Sequence, residues 1–221
     1  MSKFRISMAG VAIVGLISLP GCGGGDRAPA QPFTTQIYSD PADDGDIGQT
    51  APNSFVVTQG MSGSIQSVYA GIDPNSGAEY RAFLNFPLTG STGIPSSARI
   101  DSARLELFLD DLQPRAGQLP LRIDLISFQP PTLTGSEFDT QLQPALVTLH
   151  VSPDFTNADI GIFTTIDVTP LMEEAQREGL VDFQIRVMEE LGPAIYALAQ
   201  IDDSTGPNRS SVAPLLTVTY E

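Results

Sequence analysis

Side chains that commonly carry catalysis are scarce in this chain. His150 is the only histidine and Cys22 is the only cysteine. His150 lies in the apolar run LVTLHV, which favours a partly buried strand histidine over a general base or a metal ligand. One histidine excludes a multi-histidine metal site, and no nucleophile motif accompanies it. With 26 Asp and Glu residues a glycosidase pair stays formally open, but we expect no catalytic residues and no enzyme activity.

A run of aspartates offers oxygen ligands for a hard cation. Ca²⁺ takes about six to eight oxygens, which exported proteins often supply from one loop. In the segment SDPADDGDIG, Gly45 permits a sharp turn, and four carboxylates lie within seven residues: Asp40, Asp43, Asp44 and Asp46. The spacing does not match an EF-hand. These four residues therefore predict either a structural calcium site or a solvated turn that binds no metal.

Sugar-binding sites combine aromatic faces with surrounding polar groups. The chain has no tryptophan, and among its five tyrosines Tyr80 and Tyr196 are expected on an exposed sheet face. The polar positions of the strand-like segments include Arg104, Arg122 and Arg186. Their guanidinium groups could each form bidentate hydrogen bonds with a carboxylate of an anionic glycan. These five residues are our candidate ligand contacts. The alternative is that the tyrosines pack inside the fold and the arginines form cross-strand ion pairs.

The first 22 residues have the layout of an export signal. Lys3 and Arg5 precede an apolar run, Ile6 to Leu19, which is 14 residues long. About 20 residues are needed to span a bilayer, so the run fits a signal peptide instead. The following Leu-Pro-Gly-Cys resembles the lipobox of bacterial lipoproteins, which implies cleavage after residue 21 and lipid on the Cys22 thiol. The alternative is an ordinary secretory signal in which Cys22 is incidental.

Residues 22–32 link this signal to the rest of the chain. They are dominated by Gly, Pro and Ala, so we expect a flexible tether with a reach of roughly 17 Å. The resemblance to lipoproteins implies attachment to the membrane through the lipid on Cys22, and hence a location in the cell envelope. Gly23 follows the cysteine, where an Asp resembles an inner-membrane retention signal. We therefore expect the outer membrane if the cell is Gram-negative.

The charge of the mature chain limits its partners. Loss of residues 1–21 removes Lys3, the only lysine, and leaves 9 arginines against 26 acidic residues, a net charge of −17. Such a surface repels nucleic acid and anionic lipid headgroups, so we expect neither as a partner. The 200 remaining residues are enough for one domain, which we place at residues 33–221.

Alternating hydrophobicity beyond the tether is typical of strands. Leu105, Leu107 and Leu109 occupy every second position, and Phe183 and Ile185 alternate with polar neighbours. Frequent Gly, Pro, Asn and Asp separate such runs. This pattern predicts an all-β fold, an antiparallel jelly-roll-like β-sandwich with one short helix. The predicted strands are Thr34–Tyr38, Ser54–Thr58, Ile65–Gly71, Tyr80–Leu88, Arg99–Leu109, Leu119–Phe128, Leu146–Val151, Ile162–Val168, Val181–Val187, Ile195–Ile201 and Pro214–Tyr220.

The predicted helix is the segment TPLMEEAQREG. Thr169 is expected to cap it, Pro170 suits its first position and Gly179 is expected to end it. Leu171 and Ala175 lie on one side of such a helix, which would pack against the sheet.

Three segments carry a resemblance to a known family. YRAFLNFPLTGSTGIPSSARIDSARLELFL (80–109), IDVTPLMEEAQREGLVDFQIRV (166–187) and IDDSTGPNRSSVAPLLTVTY (201–220) are similar to the core motifs of the DNRLRE-domain family, also described as carbohydrate-binding module family 96. The resemblance implies a jelly-roll-like sandwich on exported proteins, some of which bind polysaccharide. Arg81 belongs to the motif and is expected in a buried structural ion pair. Because a fold does not fix a function, the step to binding is an analogy.

Together these features predict a lipid-anchored, exported and non-catalytic β-sandwich that binds a cell-envelope or extracellular polysaccharide. The alternative is a structural or adhesive envelope protein that contacts other proteins. The sequence favours both over an enzyme and does not separate them.

Overall fold

The computed structural model describes residues 31–114, 117–128, 132–190 and 196–221. Within these ranges the chain forms fourteen β-strands, one α-helix and two 3₁₀ helices. The strands are β1 (Phe33–Tyr38), β2 (Gly45–Ala51), β3 (Ser54–Gln59), β4 (Ser67–Ile72), β5 (Glu79–Pro87), β6 (Ile100–Gln113), β7 (Gln118–Leu119), β8 (Leu121–Ile126), β9 (Val147–His150), β10 (Phe155–Thr156), β11 (Phe163–Asp167), β12 (Asp182–Glu189), β13 (Leu198–Asp202) and β14 (Leu215–Tyr220); the helix α1 is Thr169–Glu178, and the 3₁₀ helices are Asn157–Asp159 and Arg209–Ser211.

The strands are paired antiparallel. In the described residues one sheet has the order β1-β14-β6-β13-β4-β5-β12-β8-β9, with β11 added to β6, β2 to β5 and β3 to β2, and β7 pairs separately with β10. Strand β6 continues from one part of the sheet into the other: its first half pairs with β14 and β11, and its second half pairs with β13. The predicted all-β, antiparallel fold with one short helix is confirmed. The jelly-roll topology stays a prediction.

Alternating apolar side chains of the curled sheet form the main core. Leu105, Leu107 and Leu109 are fully buried, whereas Arg104 on the same strand is exposed, as the alternation predicted. Leu216 and Val218 on β14 are also fully buried. Removing each such side chain from water contributes about 1.5–3 kcal/mol, so this periodic pattern is the main source of the fold's stability.

Strand β12 departs from its predicted alternation because both of its faces are buried. Phe183, Ile185 and Val187 are inside the main core, and Gln184 and Arg186 on the opposite face are at most 3% exposed. Val181, the first residue of the predicted strand, lies before the observed strand and is 62% exposed. A strand with a polar second face still becomes buried when another part of the chain covers that face.

The segment 132–146 provides this cover. Two of its residues, Leu133 and Phe138, form a second apolar cluster with Ile47, Phe83, Ile126 and Phe128. Two arginines also fix the segment: Nη1 of Arg186 donates to the carbonyls of Glu137 at 2.9 Å and Gln143 at 3.2 Å, and Arg81 donates to the carbonyl of Phe138. The Arg81 guanidinium lies 3.9 Å from the centre of the Phe138 ring and pairs with Glu79 at 2.6 Å. Arg81 is buried in an ion pair as predicted, although the Glu79 side chain is 26% exposed.

Some strand boundaries differ from the prediction. Strand β2 is absent from the predicted set, because its residues were interpreted as an aspartate loop. The predicted strand Leu119–Phe128 divides at Pro120 into β7 and β8, since proline has no N–H to donate to a ladder. Strand β13 begins at Leu198; the first residue of the corresponding predicted strand, Ile195, lies outside the described residues.

The helix α1 forms where the sequence predicted it, but its N-cap is different. Val168 holds the cap position and Thr169 is the first helical residue. The Asp167 carboxylate accepts hydrogen bonds from the Thr169 N–H at 3.0 Å and from its hydroxyl at 2.6 Å. Thr169 therefore does not cap the helix, because it is already the first helical residue. Gly179 ends the helix with φ 66°, as predicted.

Replacing Arg186 with methionine should lower the free energy of unfolding by about 3–5 kcal/mol, because the change leaves Asp124 buried without its guanidinium partner. Urea denaturation of the purified protein measures this difference. Arg104→Met, a matched change at an exposed arginine, should alter the free energy by less than about 0.5 kcal/mol. The double change Arg186→Met with Asp124→Leu should cost less than Arg186→Met alone. Equal losses from both arginine variants would contradict the role assigned to Arg186.

Candidate functional site

The four aspartates proposed as calcium ligands do not converge. Asp40 accepts the Ala42 N–H at 3.0 Å, and Asp43 accepts the Asn85 amide at 3.3 Å. Asp44 is fully buried and accepts the Asn85 N–H at 2.7 Å, whereas Asp46 lies on β2. In the described part of the chain no three His, Cys, Asp or Glu side chains form a group that could hold a metal ion. The structure does not bring the four predicted ligands together, because β2 begins inside the aspartate run and separates their side chains. Calcium binding by this segment stays a prediction.

Asp44 meets a second buried carboxyl group instead. Its partner is Asp203, which follows β13 and is also fully buried. Burial, followed by the charge of Asp203, raises the pKa of Asp44 well above its usual range. Within the described residues, neither Oδ2 atom finds another donor. Two adjacent carboxyl groups of this kind are stable when one proton lies between them.

Two further side chains stabilise this carboxyl pair. The Ser39 hydroxyl donates to Asp203 Oδ1 at 3.1 Å, and Arg209 Nη1 donates to the same atom at 3.1 Å. Arg209 also donates to the Ser39 and Ser204 carbonyls. The pair therefore connects the segment before β2 to the segment before β14, and its role is structural.

The three candidate arginines do not form a common ligand face. Arg186 is fully buried, and its Nη2 and Nε atoms contact Asp124 Oδ2 at 2.7 and 3.2 Å. Arg122 is partly buried, with its Nε 3.5 Å from Asp124 Oδ1. Arg104 is exposed on β6, opposite Asp167 of β11. The interpretation of Arg186 as an exposed ligand residue is wrong, because segment 132–146 covers it.

The two candidate tyrosines also lie apart. Tyr80 is half-buried on β5, where its ring lies against Gly48: a Cβ atom at that glycine would be 2.6 Å from the ring. The Tyr80 ring centre is 5.9 Å from that of Tyr69. The two rings are tilted by 57°, so Tyr80 packs beside the ring of Tyr69. Tyr196 is 51% exposed, and its ring lies near Gly77.

His150 and Cys22 complete the predicted residues. The side chain of His150 is 65% exposed, and its Nδ1 lies 2.6 Å from Glu190 Oε1. The expected partly buried histidine is therefore wrong, because β9 pairs only with β8 in the described sheet and presents this side chain to solvent. Cys22 lies outside the described residues. No helix in the described ranges is both long and apolar enough to cross a membrane.

A polar groove is the strongest candidate site in the described structure. Its volume is about 540 Å³, and its lining consists of Asp46, Thr58, Ser64, Ile65, Gln66, Ser67, Tyr69 and Gln200. Asp46 and Thr58 face each other on β2 and β3, and Tyr69 and Gln200 face each other on β4 and β13. A turn closed by hydrogen bonds between Ser62 and Ile65 forms the groove's rim.

Hydrogen bonds organise the base of this groove. Asp46 is only 2% exposed, and it accepts hydrogen bonds from the Tyr69 N–H and the Thr58 hydroxyl. Burial nevertheless raises its pKa to about 7. The Gln200 amide donates to the Ser67 hydroxyl at 3.1 Å, and that hydroxyl donates to Asp110 at 3.1 Å. The groove therefore offers one aromatic ring together with fixed carboxylate and amide oxygens.

Of the residues that line this groove, the sequence analysis had singled out only Asp46, which it predicted as a calcium ligand rather than as part of a sugar site. Tyr69, Gln66 and Gln200 were missed because they come from strands and loops that are distant in sequence. One signal was present: Ser67 and Tyr69 alternate with the apolar Val68 and Ala70. This alternation indicates a strand with one polar face, although not what the face meets.

No family model matches the chain, and no curated protein matches it.

Replacing Asp44 with asparagine should stabilise the protein increasingly as the pH rises. The folded pKa of Asp44 is raised, so its stabilising contribution is complete below its ordinary value of 3.8 and is lost as the pH rises through the folded value. Asparagine keeps the neutral, donating form at every pH. Urea denaturation at pH 5, 6.5 and 8 should show a growing advantage for Asp44→Asn, and the same change at the partly exposed Asp154 should show none. An advantage independent of pH would argue against the shared proton.

Proposed function

We propose that this protein is a lipid-anchored, exported binding module that holds a polysaccharide of the cell envelope or its surroundings in the groove of Asp46, Tyr69 and Gln200. The observation that carries the proposal is the combination of one partly exposed tyrosine ring with a carboxylate and amide groups in a single open groove. Its volume lies within the range of about 300–1,000 Å³ that small-ligand sites occupy.

The chemistry of the lining suits a sugar better than an apolar ligand. A pyranose presents hydroxyl groups at its edges and C–H groups on its faces, so it needs both hydrogen-bonding groups and a ring to stack on. Tyr69 supplies the ring, which Tyr80 supports from the side. Gln66 is exposed at the rim, and Gln200 is half-buried in the wall. The proposal therefore replaces the anionic-glycan contacts expected of the arginines with a site that contains none of them.

The anchor is proposed from the sequence. The lipobox-like Leu-Pro-Gly-Cys and the Gly-rich tether would place the domain at a membrane of the cell envelope, at the outer membrane in a Gram-negative cell. Two or three acyl chains hold such a protein firmly, since each buried methylene contributes about 0.8 kcal/mol. Membership of the DNRLRE-domain family is likewise a proposal from the three similar segments.

The module is proposed to be non-catalytic. His150 lies outside the groove lining and is engaged by Glu190. Among the described residues Asp46 is the only carboxylate in the lining, whereas glycoside hydrolysis usually requires two that flank the bond. Binding, rather than turnover, is therefore the expected activity.

A structural or adhesive role is the second candidate, and one observation favours it. In the described sheet, strand β3 pairs only with β2, so its other edge is open. Val56 and Val57 on this strand are 53% and 38% exposed. An open edge with apolar side chains can accept a strand from another protein. Co-purifying proteins without retention on polysaccharide would favour this role.

Metabolic labelling with a radioactive fatty acid tests the anchor. The full chain expressed in a lipoprotein-processing bacterium should carry label and fractionate with membranes. Cys22→Ser should lose the label and leave the membrane fraction, because no thiol is left to acylate. Label that persists in Cys22→Ser would refute lipidation at this residue.

Affinity electrophoresis in gels containing polysaccharides tests the groove. Tyr69→Ala should weaken retention about two- to ten-fold, because the stacking ring is lost. Tyr196→Ala removes an equally large exposed ring outside the groove lining, and it should leave retention unchanged. Circular dichroism checks that both variants fold. If Tyr196→Ala alone weakened retention, the groove would not be the binding site.

A further inference from the structure

We infer that the groove selects a sugar that carries a free amine, and that Asp46 is the group that recognises the ammonium. This inference rests on the proposed function, because it names the class of ligand that the same groove takes.

The first step concerns charge in the groove. Its lining contains one carboxylate, Asp46, and no arginine, lysine or histidine. Asp110 lies just behind the lining, within hydrogen-bond distance of Ser67. Asp202 and Asp111 are close enough to Asp110 to affect it electrostatically. Asp46 is ionised once the pH exceeds its pKa of about 7. The groove is then negative, so an approaching cation is attracted while an anionic sugar is repelled.

The electrostatic neighbours of the groove tyrosine agree with this picture. The pKa of Tyr69 is raised by burial first and then by the charges of Asp46 and Asp110, and no positive group opposes these effects. Burial also raises the pKa of Tyr80, and Asp46 and Asp73 add to it. Both rings are thus in a negative field, and a tyrosine ring presents a negative face that also attracts cations.

The second step concerns hydrogen-bond donors and acceptors. Several donors in the groove are already committed: the Gln200 amide and the Ser67 hydroxyl are directed towards Asp110, and the Thr58 hydroxyl is directed towards Asp46. The carboxylate oxygens of Asp46 and the amide oxygen of Gln200 are acceptors in the lining. An ammonium supplies three donors and no acceptor, so it complements this arrangement. A sugar carboxylate supplies only acceptors and would leave these oxygens without donors.

The third step concerns the position of Asp46. Asp46 lines the groove although it is only 2% exposed, and the Tyr69 N–H and the Thr58 hydroxyl fix its carboxylate in place. A charge-assisted hydrogen bond in such a site is about twice as strong as a neutral one. An N-acetyl group has no charge and offers one N–H, so acetylation of the amine should remove most of this interaction.

Calorimetric titration with three tetrasaccharides tests the inference. The probes are a β-1,4-glucosamine tetramer, its fully N-acetylated counterpart and a uronic acid tetramer, each titrated into the purified full chain. We expect the glucosamine tetramer to bind at least about ten-fold more tightly than the acetylated one, and the uronic acid tetramer not to bind. These differences follow from the loss or reversal of one charged contact in a partly buried site.

Two variants localise the effect. Asp46→Asn keeps an oxygen to accept the Tyr69 N–H, so it should fold, and it should reduce the affinity for glucosamine about ten-fold while changing that for the acetylated tetramer less than two-fold. Asp154→Asn is the matched control and should change neither affinity. Tyr69→Ala should weaken both sugars equally, because the ring stacks on either.

The outcomes separate this inference from the proposed function. Equal binding of the amine and acetylated tetramers, with both weakened by Tyr69→Ala, would overturn the amine inference and support the groove as a sugar site. Tightest binding of the uronic acid tetramer, or an unchanged affinity in Asp46→Asn, would also overturn the inference. Absence of binding by all three probes would overturn both proposals.

Discussion

The fold depends on one buried ion pair between Arg186 and Asp124. These residues lie opposite each other on β12 and β8, and neither side chain is more than 1% exposed. Burying two charges is costly unless their hydrogen bonds are complete. Here Arg186 Nη1 donates to the carbonyls of Glu137 and Gln143, and the Thr148 hydroxyl donates to Asp124. The pair thereby fixes segment 132–146 over the second apolar cluster and gives β12 two buried faces.

Buried acidic groups divide into two kinds in this structure. Asp124 is neutralised by Arg186. Asp44 instead lies close to Asp203, and Asp46 contacts only neutral donors, so burial disfavours the charged form of both carboxyl groups. The first kind stabilises the covered face of the sheet. The second connects the segments around β2 and leaves one carboxylate at the base of a groove. Two arginines, Arg81 and Arg186, are buried beneath segment 132–146, and the described lining of the groove contains no positive side chain.

Particular residues show how far the sequence predicted this arrangement. The alternation of Leu105, Leu107 and Leu109 predicted a one-sided strand correctly, since a period of two places every second residue on one face. The same reasoning failed for Arg186, because alternation says which residues share a face but not what covers it. The aspartates at 40–46 were read as one loop, although β2 begins at Gly45 and turns Asp44 and Asp46 towards different partners.

The sequence by itself determined the fold class, the one helix with its Gly179 end and the acidic charge, because these follow from local periodicity, backbone conformation and composition. The lipid anchor is also read from the sequence alone and stays a prediction. Only the tertiary structure decided which polar residues meet. Residues of β2, β3, β4 and β13 line the groove. The Arg186–Asp124 pair joins residues that are 62 positions apart in sequence, and the Asp44–Asp203 pair joins residues that are 159 positions apart. Such contacts arise from strand pairing across the whole chain, and no local pattern records them.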